Sequence, residues 1–170
     1  MNPLPLLALN DDARFLCLEA EPEEASEAIS GWLDAGLVVR LARGRKMRTW
    51  QGLFDEFAAA LQFPWYFGEN TDAFDECIAD LAWLPPQNGY VIVLSEPEQV
   101  LIDAGAGALD ALVSSLQGAA EQWAAPVELG EWWDRPAVPF HVVLQPTSSD
   151  APAVVKRWTD VGASVVPFVS

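Results

Sequence analysis

Lysine and arginine are absent between Thr49 and Asp134, a stretch that carries fifteen Asp or Glu residues. A field of one sign over that length repels nucleic acid and anionic membrane, so neither is expected as a partner. Histidine is scarcer still. His141 is the only one and lies in a segment that reads as a strand, where a packed ring is expected. A Ser–His–Asp or Cys–His centre would have to be built on it, and no G-x-S-x-G turn is present. Cys17 and Cys77 are the only cysteines. Both sit in apolar-periodic segments and read as reduced, buried thiols, not as a disulfide framework or zinc site. The glycines of Asp103-Ala104-Gly105-Ala106-Gly107-Ala108 lack the Lys-Ser/Thr of a phosphate-binding loop, and the spacing of a calcium loop is missing. No cofactor, metal or small-molecule substrate is therefore expected. Long apolar runs are missing too. Pro3–Leu9 has no basic residue before it, contains two prolines and stops at Asn10-Asp11-Asp12, whereas a membrane span needs about 20 apolar residues. A cytoplasmic protein is expected.

What is present is apolar and acidic. Half of the 170 residues are apolar and eight are tryptophan, which suffices for one buried domain over residues 1–170 and argues against disorder. The formal charge is −16, from 25 acidic and nine basic residues. Salt adaptation would give the same sign but a poorer apolar content, and the mean hydropathy here is positive, at +0.14. A surface so charged accelerates encounter with a basic protein.

Strand and helix patterns alternate along the chain, predicting an α/β layer built on a small, mainly parallel sheet. Strands are expected at 14–18, 37–42, 90–94, 140–144 and 164–169. Pro22 opens a helix through Ala35 that Gly36 closes. Thr49 caps the next, which buries Trp50, Leu53, Phe54, Phe57, Ala58 and Leu61 and ends at Pro64. A third runs from Asn70 to Leu81, a fourth from Ala108 to Trp123. The last is capped by Ser149 or Asp150, runs through Val161 and closes at Gly162. The segment 125–138, with Trp132 and Trp133, reads as an irregular loop. Arg40, Arg43, Arg45, Lys46 and Arg48 form the one basic cluster, and with so many carboxylates downstream it is expected to pair within the chain.

Residues 64–81 read PWYFGENTDAFDECIADL. On a helix, Ala73, Phe74, Cys77, Ile78 and Leu81 share one face and must point to the core. The other face holds Asp72, Asp75, Glu76 and Asp80, with Glu69 just ahead. Such carboxylates repel one another when exposed, and the helix dipole relieves only those in the first turn. Trp65, Tyr66 and Phe67 crowd the loop before this helix and cannot all be buried in so short a segment. Aromatic anchors beside a carboxylate cluster have the composition of a protein-binding surface.

The run Pro64-Trp65-Tyr66-Phe67-Gly68-Glu69-Asn70-Thr71-Asp72-Ala73-Phe74-Asp75-Glu76-Cys77 resembles the barstar-like inhibitors of ribonucleases, whose pattern is Pro-x-Tyr-aromatic-Gly-x-Asn-x-Asp-Ala followed by an acidic position and Cys. The similarity extends more loosely over 36–145, leaving a strand–helix extension before it (1–35) and a helix–strand extension after it (146–170). It implies a barstar-like α/β fold and an immunity function, in which the acidic helix and its preceding loop enter the active site of a basic nuclease or toxin domain. The resemblance assigns the central phosphate-mimicking charge to Glu76, a supporting charge to Asp72 and stacking on a histidine of the enzyme to Tyr66, with Gly68 and Asn70 shaping the turn. Trp65, Phe67, Asp75 and Asp80 complete the candidate surface. The family's central carboxylate is usually aspartate, so Glu76 carries its charge one methylene further out. Asp75 stands where the best-known member has an aromatic residue.

Two other classes share part of this pattern. An acidic regulator or scaffold for another basic protein needs the charge but not the motif. A carboxylate-based hydrolase could use Asp72, Asp75 and Glu76, but nothing in the segment would support an anionic transition state.

Overall fold

A computed structural model describes residues 2–9, 14–147 and 149–168. Five strands form one sheet: β1 (Phe15–Cys17), β2 (Val38–Arg43), β3 (Tyr90–Ser95), β4 (Phe140–Gln145) and β5 (Val165–Pro167). Their order is β2-β3-β4-β1-β5, and every pairing is parallel. The expected mainly parallel sheet is thus wholly parallel. β1 and β5, contributed by the two flanking extensions, pair directly with each other, in register from Phe15 with Val165. The first five residues of β3 and of β4 are buried throughout, the continuous apolar pattern of strands covered on both faces.

Helices cover those faces unequally. Val38, Ala42, Tyr90, Ile92, Leu94, Phe140 and Val142 point to one side. There they meet α2 (Trp50–Leu61), α3 (Thr71–Asp80), α4 (Ala108–Ala124) and α5 (Ala151–Thr159). Leu16, Val39, Val91, Val93 and Val143 point the other way, onto α1 (Pro22–Asp34) and a short 3-10 turn at Leu4–Leu7. His141 is on this second side, 2 % exposed, its Nε2 3.1 Å from the Ala8 carbonyl. Cys17 and Cys77 are buried and free. Burial raises both thiols above their ordinary value, helped at Cys77 by Asp80 and Glu76.

Most helix ends follow the local chemistry. Glu21 and Glu24 form a reciprocal capping box ahead of Pro22. The Thr49 hydroxyl accepts from Gly52 N–H at 3.2 Å. Three details of the helix ends differ from expectation. α2 stops at Leu61, three residues before Pro64, because Gln62 turns left-handed (φ 54°). Asp150 occupies the cap position of α5 but makes no capping bond; its carboxylate instead accepts from the Thr147 hydroxyl at 2.7 Å. The same helix ends at Thr159, two residues short of Val161. The final strand is shorter than expected, and Val169, like the polar stop at Asn10–Asp12, lies outside the described residues.

Candidate functional site

The loop from α2 to α3 is built around an aromatic hinge. Phe67 is half-buried, with ring centroids 5.0 Å from Phe63 and 5.8 Å from Phe54. Its N–H closes a turn onto the Pro64 carbonyl at 2.9 Å. Phe74 of α3 packs edge-on against Phe57 at 5.1 Å and also meets Phe54 and Phe63. This inner cluster forces the remaining two rings outward. Trp65 is 96 % exposed and Tyr66 66 % exposed, their rings 5.9 Å apart and nearly perpendicular. Of the three loop aromatics singled out from sequence, two therefore face solvent, while Phe67 supports them from beneath.

The turn into α3 is fixed by three residues. Asn70 accepts from Ala73 N–H at 2.9 Å through its side-chain oxygen and donates to the Gly68 carbonyl at 3.1 Å, a capping role worth about 1 kcal/mol. A Cβ on Gly68 would lie 3.0 Å from the Asn70 amide nitrogen, so this position favours the smallest residue. Glu69 sits in the left-handed region at φ 49°, and Gln51 on α2 donates to both Glu69 and Asp55, at 3.1 and 3.0 Å.

α3 places Phe74, Cys77 and Ile78 in the core and Asp72, Asp75, Glu76 and Asp80 in solvent. All nine basic residues are among the described residues, and none pairs with these four carboxylates. Most of the cations are engaged elsewhere. Arg43 clasps Glu56 at 2.7 and 3.0 Å, Arg45 meets Glu96 at 2.7 Å, and Arg48 holds Asp103 and Gln99. Arg14 pairs with Glu121 at 2.8 Å and Lys156 with Asp160 at 2.6 Å. Arg135 and Arg157 spend their donors on backbone carbonyls. The basic cluster at 40–48 is therefore largely consumed inside the chain, and the exposed face of α3 is a field of uncompensated negative charge. Two shallow depressions flank it. One, of about 420 Å³, is lined by Asp75, Glu76, Ala79, Asp80 and Gln122. The other, of about 350 Å³, runs between Thr71 and Asp75 and the small residues Ala111, Ser114 and Gly118 of α4.

Two features escaped the sequence reading. Glu56 is only 8 % exposed and anchors β2 to α2 through Arg43; its place among Leu53 and Phe57 on the apolar stripe of α2 was the available signal. The segment read as an irregular loop at 125–138 contains an ordered turn closed by Val127 and Arg135, with Leu129, Trp132 and Trp133 exposed. No group of three or more His, Cys, Asp or Glu among the described residues is arranged to hold a metal ion, and no helix among them is long and apolar enough to cross a membrane.

A family model described as Barstar (barnase inhibitor) matches residues 37–145, more than half of the chain. No curated protein matches it. Among solved structures, Cdc6p from Pyrobaculum aerophilum is similar with a TM-score of 0.52 at 15 % identity, over 92 % of this chain and 39 % of that one. A Drosophila ORC chain from a DNA-bound structure gives 0.52 at 10 % identity, covering 98 % and 85 %. The Walker-type ATPase of Pyrococcus abyssi gives 0.50 at 11 %, covering 91 % and 49 %. At these identities the likeness is one of fold. This chain spans well under half the length of the Cdc6p chain and about half that of the ATPase. None of its strand–helix turns carries the G-x-x-x-x-G-K-[ST] sequence of a phosphate-binding loop, and the turn from β1 to α1 is Leu18-Glu19-Ala20-Glu21, without glycine and with two carboxylates.

Proposed function

The chain belongs to the barstar (barnase inhibitor) family, and from that premise we propose that it is an immunity protein that binds a small basic ribonuclease and occludes its active site with α3 and the Trp65–Tyr66 loop. The family is one of inhibitors, and this chain's role is binding without turnover. One observation carries the reading: Asp72, Asp75, Glu76 and Asp80 stand in solvent, and no Lys or Arg among the described residues pairs with them. An arrangement of this kind stores repulsion in the free protein. A cationic cleft that normally receives RNA phosphates would relieve it, so part of the binding free energy comes from charge the free protein holds at a cost.

The roles follow from position. Glu76 sits midway along the exposed face and is the natural occupant of a phosphate subsite. Asp72, one turn earlier, supports it from the helix N-terminus. Tyr66 offers a flat, exposed ring for stacking on an imidazole or guanidinium, and Trp65 beside it supplies apolar area. Asp75 and Asp80 widen the negative field on either side of Glu76. The backbone beneath is braced by Asn70, Gly68 and Phe67, which keeps the cost of ordering the loop on binding small.

The direct test is titration of the full chain into barnase and other small basic ribonucleases. Activity of at least one should fall to nothing at equimolar ratio. Glu76→Ala should then weaken inhibition by more than about 2 kcal/mol, the range of a hot-spot residue. If no ribonuclease is inhibited, or if Glu76, Asp72 and Tyr66 are all silent on truncation, the assignment fails.

A further inference from the structure

The turn at 127–135, beyond the C-terminal end of α4, is braced as firmly as the loop at the other end of α3. Val127 and Arg135 exchange backbone hydrogen bonds at 2.9 and 3.0 Å. The Asp134 carboxylate accepts from Leu129 N–H at 2.9 Å and Gly130 N–H at 2.7 Å. The Arg135 guanidinium donates to the carbonyls of Gln122, Trp123, Ala125 and Pro136 and lies 4.3 Å over the Trp123 ring. What this bracing presents is apolar: Trp132 is 89 % exposed, Leu129 70 % and Trp133 50 %. The turn is also continuous with the acidic face. Trp123 donates its indole N–H to the Ile78 carbonyl of α3 at 3.0 Å. Gln122, whose carbonyl Arg135 grips, lines the same depression as Glu76 and Asp80.

We propose that Leu129 and Trp132 form a second apolar anchor, at the Asp80 end of α3, for the same basic protein that receives the α3 carboxylates. This rests on the inhibitor reading and extends its footprint. Rigid presentation of large apolar side chains in water carries a hydration cost that only a partner can remove. The order already present spares most of the entropy of ordering them on binding. The partner's chemistry is set by the surroundings: the exposed Glu128 and Glu131, next to Leu129 and Trp132 in the chain, like α3 itself, call for an apolar pocket rimmed by lysine or arginine. A second copy of this chain fits poorly, since it brings the same −16 charge to the contact. The anchor's energetic signature should differ from that of α3. Charges govern association and its salt dependence, whereas a desolvated aromatic anchor governs dissociation.

The experiment compares wild type, Leu129→Ala/Trp132→Ala and Glu76→Ala against a panel of small basic ribonucleases that includes barnase, with rates measured by stopped-flow and thermal melts confirming the fold. For a ribonuclease that wild type inhibits, the double variant should dissociate about tenfold faster or more, with its association rate and salt slope unchanged. Unchanged dissociation, with Glu76→Ala still weakened, overturns the anchor and leaves the inhibitor reading standing. No inhibition by wild type across the panel removes both. A wild-type dimer in sedimentation that the double variant converts to monomer assigns the patch to self-association and overturns the proposal.

Discussion

Glu56 and Glu76 have the same side chain and opposite fates. Glu56 lies on the buried stripe of α2, where the Arg43 guanidinium makes two charge-assisted hydrogen bonds to it and the Arg43 backbone N–H adds a third at 3.0 Å. Those bonds hold its carboxyl below the ordinary carboxylate value against the opposing effect of burial. Glu76 lies on the opposite kind of surface, exposed and unmatched. Which glutamate is structural could be read from helical periodicity, because Glu56 falls among apolar neighbours. That Arg43 is its partner could not, since the pair forms only when β2 is laid against α2. The depressed value fixes a pH dependence. The pair's contribution is complete above the carboxylate's unfolded value and is lost as pH falls through the lower, folded one. Glu56→Gln should therefore cost about 1–2 kcal/mol near neutral pH, a figure held down by the half-exposed Arg43 partner. That cost should shrink toward nothing in acid. Urea unfolding of both proteins between pH 7 and pH 3 checks it; a cost that stays constant over that range would mean that Glu56 acts by packing alone.

At the scale of elements, hydrophobic spacing predicts the five strands and five α-helices of the described residues, because α2, α3 and α4 each bury one stripe and the central strands bury both faces. Where reading failed, a local signal lost to a tertiary one. Pro64 has the signal of a helix end, but the chain must turn earlier so that Phe67 can fold back onto Phe54 and Phe63 can meet Phe74. Asp150 looked like a cap, yet Thr147 takes its carboxylate. The loop aromatics could not be sorted by sequence either, since inward and outward rings differ only in where the Pro64–Phe67 turn points them. α3 is short, and its hold on the molecule depends heavily on Phe74, fully buried against Phe54, Phe57 and Phe63. Phe74→Ala should cost about 3–5 kcal/mol of stability and weaken partner binding as well, because it loosens the platform under Asp72 and Glu76. Glu76→Ala should weaken binding while leaving the melting temperature within a degree or two of wild type or slightly above, because it removes like-charge repulsion and adds a good helix former. Denaturation curves set beside inhibition constants separate the two kinds of residue. A Glu76→Ala variant as unstable as Phe74→Ala would show that the carboxylate holds the fold.

For the molecule as a whole, charge and topology divide the labour. β1 and β5 close the far edge of the sheet beside β4, while α3 and its loop lie between β2 and β3 in the chain and pack on the face that those strands present with β4. The sheet's order was beyond sequence reading, since nothing local says that the two extensions will pair with each other. The charge imbalance was fully legible, and it makes two salt effects of opposite sign. A net charge of −16 repels itself across a compact surface, so screening should stabilise the free protein. The same field draws a cationic partner in, so screening should slow capture. Raising sodium chloride from about 0.05 M to 0.5 M shortens the Debye length from about 14 Å to about 4 Å. Over that range the melting temperature of the free chain should rise while its association rate with an inhibited basic ribonuclease falls by an order of magnitude or more. The dissociation rate, governed by contacts already desolvated, should move far less. An association rate indifferent to salt would mean that the carboxylates of α3 act only after contact, and that the field of the whole molecule plays no part in finding the partner.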